Sequence, residues 1–120
     1  MASTVYKQFR QVAVTNTPVE INSGACVLVG WNLINPNSAN AYVKFYNNTL
    51  ADVNAGSGTI VKDLLIPGSG TSLLSNEDKF QLNFNIGMVI KCVTGIADAD
   101  NTAPSIGCYV ELLYDASPNN

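Results

Sequence analysis

The sequence contains no histidine and a single arginine, Arg10. Without an imidazole there is no Ser-His-Asp triad, no Cys-His dyad and no histidine-ligated metal centre. Charge is scarce too: Asp, Glu, Lys and Arg make up 12% of the 120 residues, half the ~25% of an average globular chain. Six basic residues against nine acidic ones, scattered along the chain, give no footprint for nucleic acid. No apolar run approaches the ~18 residues of a membrane span. The segment Met1 to Arg10 lacks the apolar core of a signal peptide, so folding in a reducing cytosol is expected. Cys26, Cys92 and Cys108 form no CxxC motif, and each sits in an apolar stretch. They read as three buried free thiols acting as small hydrophobes, with a Cys92–Cys108 bridge between neighbouring strands as the alternative.

Hydrophobic residues make up 47% of the chain, and polarity comes mainly from 15 Asn, 9 Ser and 8 Thr. Apolar content this high with a net charge of -3 argues against disorder. The dominant period is two. Phe80, Leu82, Phe84 and Ile86 alternate with polar residues, as do Cys108, Val110, Leu112 and Tyr114 with their neighbours. Runs such as Val27 to Ile34 and Met88 to Val93 are apolar on both faces and read as central strands. Turn signals recur every ~10 residues, among them Asn35-Pro-Asn37, Pro67-Gly-Ser-Gly70 and Asp98-Ala-Asp-Asn-Thr-Ala-Pro104. No segment shows a 3.6 period of helical length. The expected strands cover 4–14, 18–22, 25–35, 41–47, 59–66, 71–74, 79–86, 87–97 and 106–115. The shortest of these could be turns, which leaves about eight strands. The fold class is therefore all-β: one antiparallel, jelly-roll-like β-sandwich domain over residues 1–120, with a flexible C-terminal tail over 115–120.

Chemistry is hard to place on such a chain. Asp98-x-Asp100-Asn101 spaces three oxygen ligands, but without the rest of a calcium loop it reads as an Asx-rich turn. Glu77-Asp78-Lys79 reads as a solvated turn. Gly56-Ser-Gly58 and Gly68-Ser-Gly70 open no helix and are not phosphate loops. No base stands near a nucleophilic hydroxyl, so no enzyme activity and no cofactor are expected. Trp31, Tyr42, Tyr46, Tyr109 and Tyr114 could stack against a sugar or serve a protein interface. Tyr42 and Tyr46 share a strand face with Lys44 and are the expected exposed pair. Low charge on a sandwich further suggests a surface spent on other subunits.

In order, the chain reads Trp31-Asn-Leu-Ile-Asn35, Asn40-Ala-Tyr-Val-Lys-Phe-Tyr-Asn47, Leu64-Leu-Ile-Pro67-Gly-Ser-Gly70, Phe84-Asn-Ile-Gly-Met-Val89, the Asp98–Pro104 loop and Val110-Glu-Leu-Leu-Tyr114. This series, over about residues 25 to 115, resembles the small virion structural proteins of tailed bacteriophages and prophages. The resemblance implies a capsid decoration (cement) protein: a jelly-roll-like homotrimer, made in the host cytoplasm, that clamps major capsid proteins on the outside of the head. It implies no nucleic-acid and no membrane partner. Interface candidates are Tyr6, Phe9 and Arg10, in a segment 1–14 that reads equally as a contact arm or as a first strand, together with Tyr42, Lys44 and Tyr46. Loops 35–40 and 98–104 come next. The alternative is a carbohydrate-binding tail or fibre module.

Overall fold

A computed structural model describes residues 6–75 and 80–116. These hold β1 (Tyr6–Val14), β2 (Val19–Asn22), β3 (Cys26–Ile34), β4 (Ala41–Asn47), α1 (Leu50–Asn54), β5 (Ile60–Ile66), β6 (Thr71–Leu74), β7 (Leu82–Phe84), β8 (Met88–Val93) and β9 (Cys108–Asp115). The expected Glu77-Asp78-Lys79 turn, the arm before Tyr6 and the tail beyond Ala116 lie outside the described residues. Asp115, expected in the tail, closes β9 and pairs with both Tyr6 and Val27.

Two antiparallel sheets form a sandwich. Sheet A runs β1-β9-β3, with β6 and β7 both bonded to the far edge of β3; sheet B runs β2-β8-β4-β5. β6 pairs with Trp31–Ile34 and β7 with Cys26–Leu28, so the two lie end to end and share one strand position. Counted that way, the positions are ordered 1-8-3-6 and 2-7-4-5, which is a jelly roll. β4 and β5 are the one hairpin within a sheet; the other successive positions alternate between sheets. That alternation needs strands whose one side is always apolar, which the period-two pattern supplies. In β9, Cys108, Val110, Leu112 and Tyr114 are buried while their neighbours are half-buried.

The inner faces meet in a core that includes Leu28, Leu33, Val43, Phe45, Phe84, Met88, Ile90 and Val110. Phe45 of sheet B lies 6.5 Å from Phe84 of sheet A, ring centre to ring centre. Burying a side chain of this size contributes roughly 1.5–3 kcal/mol. At the β5 and β6 edges the core ends on Trp31, which meets Phe80 edge-on at 5.2 Å and donates its indole N–H to Ser72 Oγ at 3.1 Å. Lys62 of edge strand β5 turns inward here, with Nζ 5.9 Å from the Trp31 ring and 5.6 Å from Phe80.

Three elements differ from expectation. The strand expected over 79–86 is ordered as a strand only over Leu82–Phe84. The one expected over 87–97 ends at Val93, and the chain then forms a long connection to β9. The helical turn α1 was not foreseen, because five residues are too few to show a period. Its signal was Thr49-x-x-Asp52: Thr49 Oγ1 accepts the Asp52 N–H at 3.2 Å, an N-cap.

The asparagine-rich loops face solvent along much of their length but are tied internally by asparagine side chains. Asn35, 1% exposed, donates Nδ2 to Ala39 O at 2.8 Å and Ile66 O at 3.1 Å, and its Oδ1 accepts the Asn37 N–H at 2.9 Å. Asn37 bonds both backbone groups of Ile106 at 2.8 Å. Gly68 passes so close that a Cβ there would meet the Ser38 carbonyl, its carbon at 2.7 Å. Loop 35–40, expected as a contact loop, is thus bound within the chain. Asn35→Ala removes the donor to the buried Ile66 carbonyl and to the Ala39 carbonyl and is expected to cost about 1–3 kcal/mol in chemical denaturation, with an unchanged m-value.

Candidate functional site

The two sheets present unlike outer faces. On sheet B, Tyr42, Lys44 and Tyr46 point outward from β4, as the alternation requires. Register places Lys44 between Lys91 of β8 and Asp63 of β5. This face was expected to be exposed; it is covered around Lys44 and Tyr46, while Leu65 of β5, opposite Tyr42, stays 46% exposed. The β8–β9 connection, residues 94–107, folds across it, and Lys44 Nζ donates to Ala97 O and, at 3.4 Å, to Asp100 O. Lys44 is 0% exposed and Tyr46 5%; Tyr42 is half-buried. Tyr46 packs with Val53 of α1, Val89, Leu50 and Ile60, and Lys91 Nζ sits 5.5 Å from its ring centre.

The covering loop is built to close. Thr94 N–H donates to Thr102 O at 3.0 Å, and Asp100 Oδ1 accepts the Thr102 N–H at 2.9 Å, an Asx turn. The Asp100 carboxyl presses on Gly95, where a Cβ would come within 2.7 Å of its Cγ. Lys91 Nζ donates to Asn101 Oδ1 at 3.2 Å. The loop's carbonyls therefore hold an ammonium, and no group of three or more metal-ligating side chains occurs among the described residues. A groove of about 550 Å³ remains between this loop and the α1 region, lined by Tyr46, Gly58, Lys91, Asp98, Asp100 and Asn101 among others.

Burial strains the charges beneath the loop. Asp63 Oδ1 is buried without a hydrogen-bond partner. Desolvation pushes its carboxyl above the ordinary 3.8, and the Lys44 charge only partly pulls it back. Lys91 is pushed down, by desolvation first and by Lys44 second. Tyr46 is pushed up by burial and then by Asp63 and Asp98.

Among the described residues, nothing folds over the outer side of sheet A. Arg10 lies over the Tyr109 ring at 5.3 Å, and its Nε donates to Tyr109 Oη at 3.2 Å. Tyr109 Oη donates to Glu111 Oε2 at 3.1 Å, and Gln8 Nε2 donates to the same oxygen at 2.8 Å. Beside this polar lattice stand Leu73, 71% exposed, Ile34, 39%, and Tyr6, 41%. Of the candidate residues, Tyr6 and Arg10 thus share this face. Phe9, opposite Leu112, points inward and packs against the core. Tyr42, Lys44 and Tyr46 belong to the opposite side of the sandwich. The segment 6–14 is the first strand of sheet A rather than a free arm.

The five aromatic residues considered for sugar stacking do not converge. Trp31 and Tyr114 face the core, Tyr109 the outside of sheet A, and Tyr42 and Tyr46 the outside of sheet B. Leu73 and Ile34 were missed as surface residues. The signal for Leu73 was the pair Leu73-Leu74, since adjacent strand residues cannot both face inward. Asp63 as the partner of Lys44 is visible only in the strand register.

No family model matches this chain, and no curated protein matches it. Two solved structures are loosely similar. PirA, known from a crystal structure, shares 10% identity, with 94% of this chain and 96% of that chain covered and a TM-score of 0.41. A subunit of Bacillus endospore appendages, described as a family of disulfide-linked pili, shares 12% identity, with 94% and 84% covered and a TM-score of 0.42. Likenesses this loose say nothing about function.

Two outcomes test the covered face. Lys44→Met keeps the packed stem but orphans the loop carbonyls; a loss of about 2–4 kcal/mol is expected, with faster hydrogen exchange across 94–107. Asp63 holds its proton more tightly folded than unfolded, so it adds stability at low pH that is lost as pH rises through its folded value. Asp63→Asn removes that loss. The Tm difference between variant and wild type, followed from about pH 3 to about pH 8, is expected to grow in the variant's favour through the Asp63 titration and then level off.

Proposed function

We propose that this chain is a non-enzymatic structural subunit of a tailed-phage virion, a decoration protein that binds the outer surface of the head and bridges neighbouring major capsid proteins. One observation carries this reading: among the described residues, the chain folds a loop over the Lys44 and Tyr46 part of the outer face of sheet B, leaving Leu65 46% exposed, and leaves the outer face of sheet A open. The open face joins exposed Leu73, Ile34 and Tyr6 to the Gln8–Glu111–Tyr109–Arg10 lattice. Tyr and Arg are enriched among residues that dominate binding energy, and a pre-bonded lattice loses little freedom on docking. The sequence resemblance to phage virion proteins supports the same assignment and is the basis for proposing a homotrimer.

The mechanism is additive. A subunit that binds only the assembled lattice stabilises that lattice by mass action, and a trimer multiplies the effect by linking its contacts. Low charge suits the centre of a lasting interface, where charged groups are depleted.

The test is co-sedimentation with expanded, DNA-free heads, together with copy number in the virion. Copies on the scale of the capsid lattice are expected. Leu73→Asp is expected to weaken head binding roughly tenfold or more with little change in Tm, because the side chain supports nothing inside the fold. A handful of copies confined to the tail would overturn the assignment.

A further inference from the structure

The three cysteines are buried and reduced, but they are not placed alike. Cys26 opens β3, where its thiol bonds Asn22, the residue opposite Met88. Cys108 opens β9, one residue before Tyr109, which stands opposite Ile34 at the other end of β3. Eight residues of strand separate Cys26 from Ile34, a span of roughly 26 Å. Cys92 lies four residues along β8 from Met88, roughly 13 Å from the Cys26 end. Cys26 is therefore out of reach of both.

Cys92 and Cys108 meet where the sandwich is pinched. Val14 stands opposite Cys108 in sheet A. The next residue, Thr15, accepts the Cys92 backbone N–H at 2.8 Å in sheet B. One peptide step of ~3.8 Å thus carries the chain between layers that elsewhere pack ~10 Å apart. Both side chains point into this corner, fully buried in the same core cluster, and stand close enough for each thiol to perturb the other. The Cys108 thiol also reaches Asn35 Oδ1 at 3.7 Å.

We propose that Cys92 and Cys108 are a built disulfide site that staples sheet B to sheet A across this corner, leaving Cys26 as the free thiol. The oxidant is a small-molecule disulfide such as oxidised glutathione. One thiolate of the pair attacks one of its sulfurs and expels one thiol, and the other then attacks the mixed disulfide and expels the second. The chain loses two S–H hydrogens and gains one S–S bond, while the oxidant takes up two electrons and two protons as two thiols. Both sulfurs are sealed in the native state, so exchange takes place in the folding or locally opened chain. The fold then selects this pair over the two that include Cys26. In a reducing compartment the pair stays as two thiols; outside it, the staple closes.

The test refolds the full chain in a buffer of oxidised and reduced glutathione, counts thiols after denaturation, and maps peptides without reduction. The expected result is one free thiol, a mass lower by two hydrogens, and a cross-link joining the peptides of residues 92 and 108. Tm is expected to rise roughly 5–15 °C over the reduced chain. Cys26→Ser is expected to form the same cross-link with no thiol left, and Cys108→Ser to form none. Three free thiols, or any pairing that includes Cys26, would overturn the proposal. If refolding in this buffer fails, the same count on native protein held with oxidised glutathione in mild denaturant decides between these outcomes.

Discussion

An ammonium taken wholly out of water must be given oxygens, and Lys44 finds its oxygens in the backbone of a loop fifty residues further along the chain. Much else follows from that requirement. The carbonyls of Ala97 and Asp100 can reach Nζ only if the β8–β9 connection lies flat across sheet B. It lies flat because Thr94 and Thr102 close its neck and Asp100 turns the chain within it. Once it is down, Tyr46 and Lys91 are shielded, Asp63 Oδ1 is left without a hydrogen bond, and part of the face that alternation aimed at solvent becomes a second, smaller interior.

The covering of one side throws the other into relief. A two-layer sandwich has two outer faces, and this chain folds its long connections over only one of them. Sheet A keeps a rigid polar lattice next to uncovered leucine, isoleucine and tyrosine side chains. The two outer faces thus differ in how much of each the chain covers with its own loops.

Alternation was enough to place most strands, because a sandwich strand is specified by its own residues: one side apolar, the other whatever solvent or a neighbour allows. β9 shows this in every second residue. The same logic misjudged Tyr42, Lys44 and Tyr46. It correctly put them on one outward face, but whether an outward face is wet depends on loops distant in sequence, and a polar loop carries no periodic mark of where it will lie. β7 is shorter than its pattern because Ile86 breaks the inward series, standing exposed where Phe84 is buried. The helical turn after β4 was legible only as a capping pair, and the thiol pair only through the register of β1 against two different sheets.

Lys62 points inward from the rim of β5, beside the rings of Trp31 and Phe80. Inward-turned charge is one of the ways a sheet edge is made unwelcoming to another strand. The opposite rim, β1, is nine residues long and bonded on one side only, to β9. The two edges thus differ: β5 discourages a neighbouring strand, whereas β1 keeps an unbonded side. In a chain this rich in β-structure and this poor in charge, that inward lysine guards one of the edges through which strands of separate copies could pair.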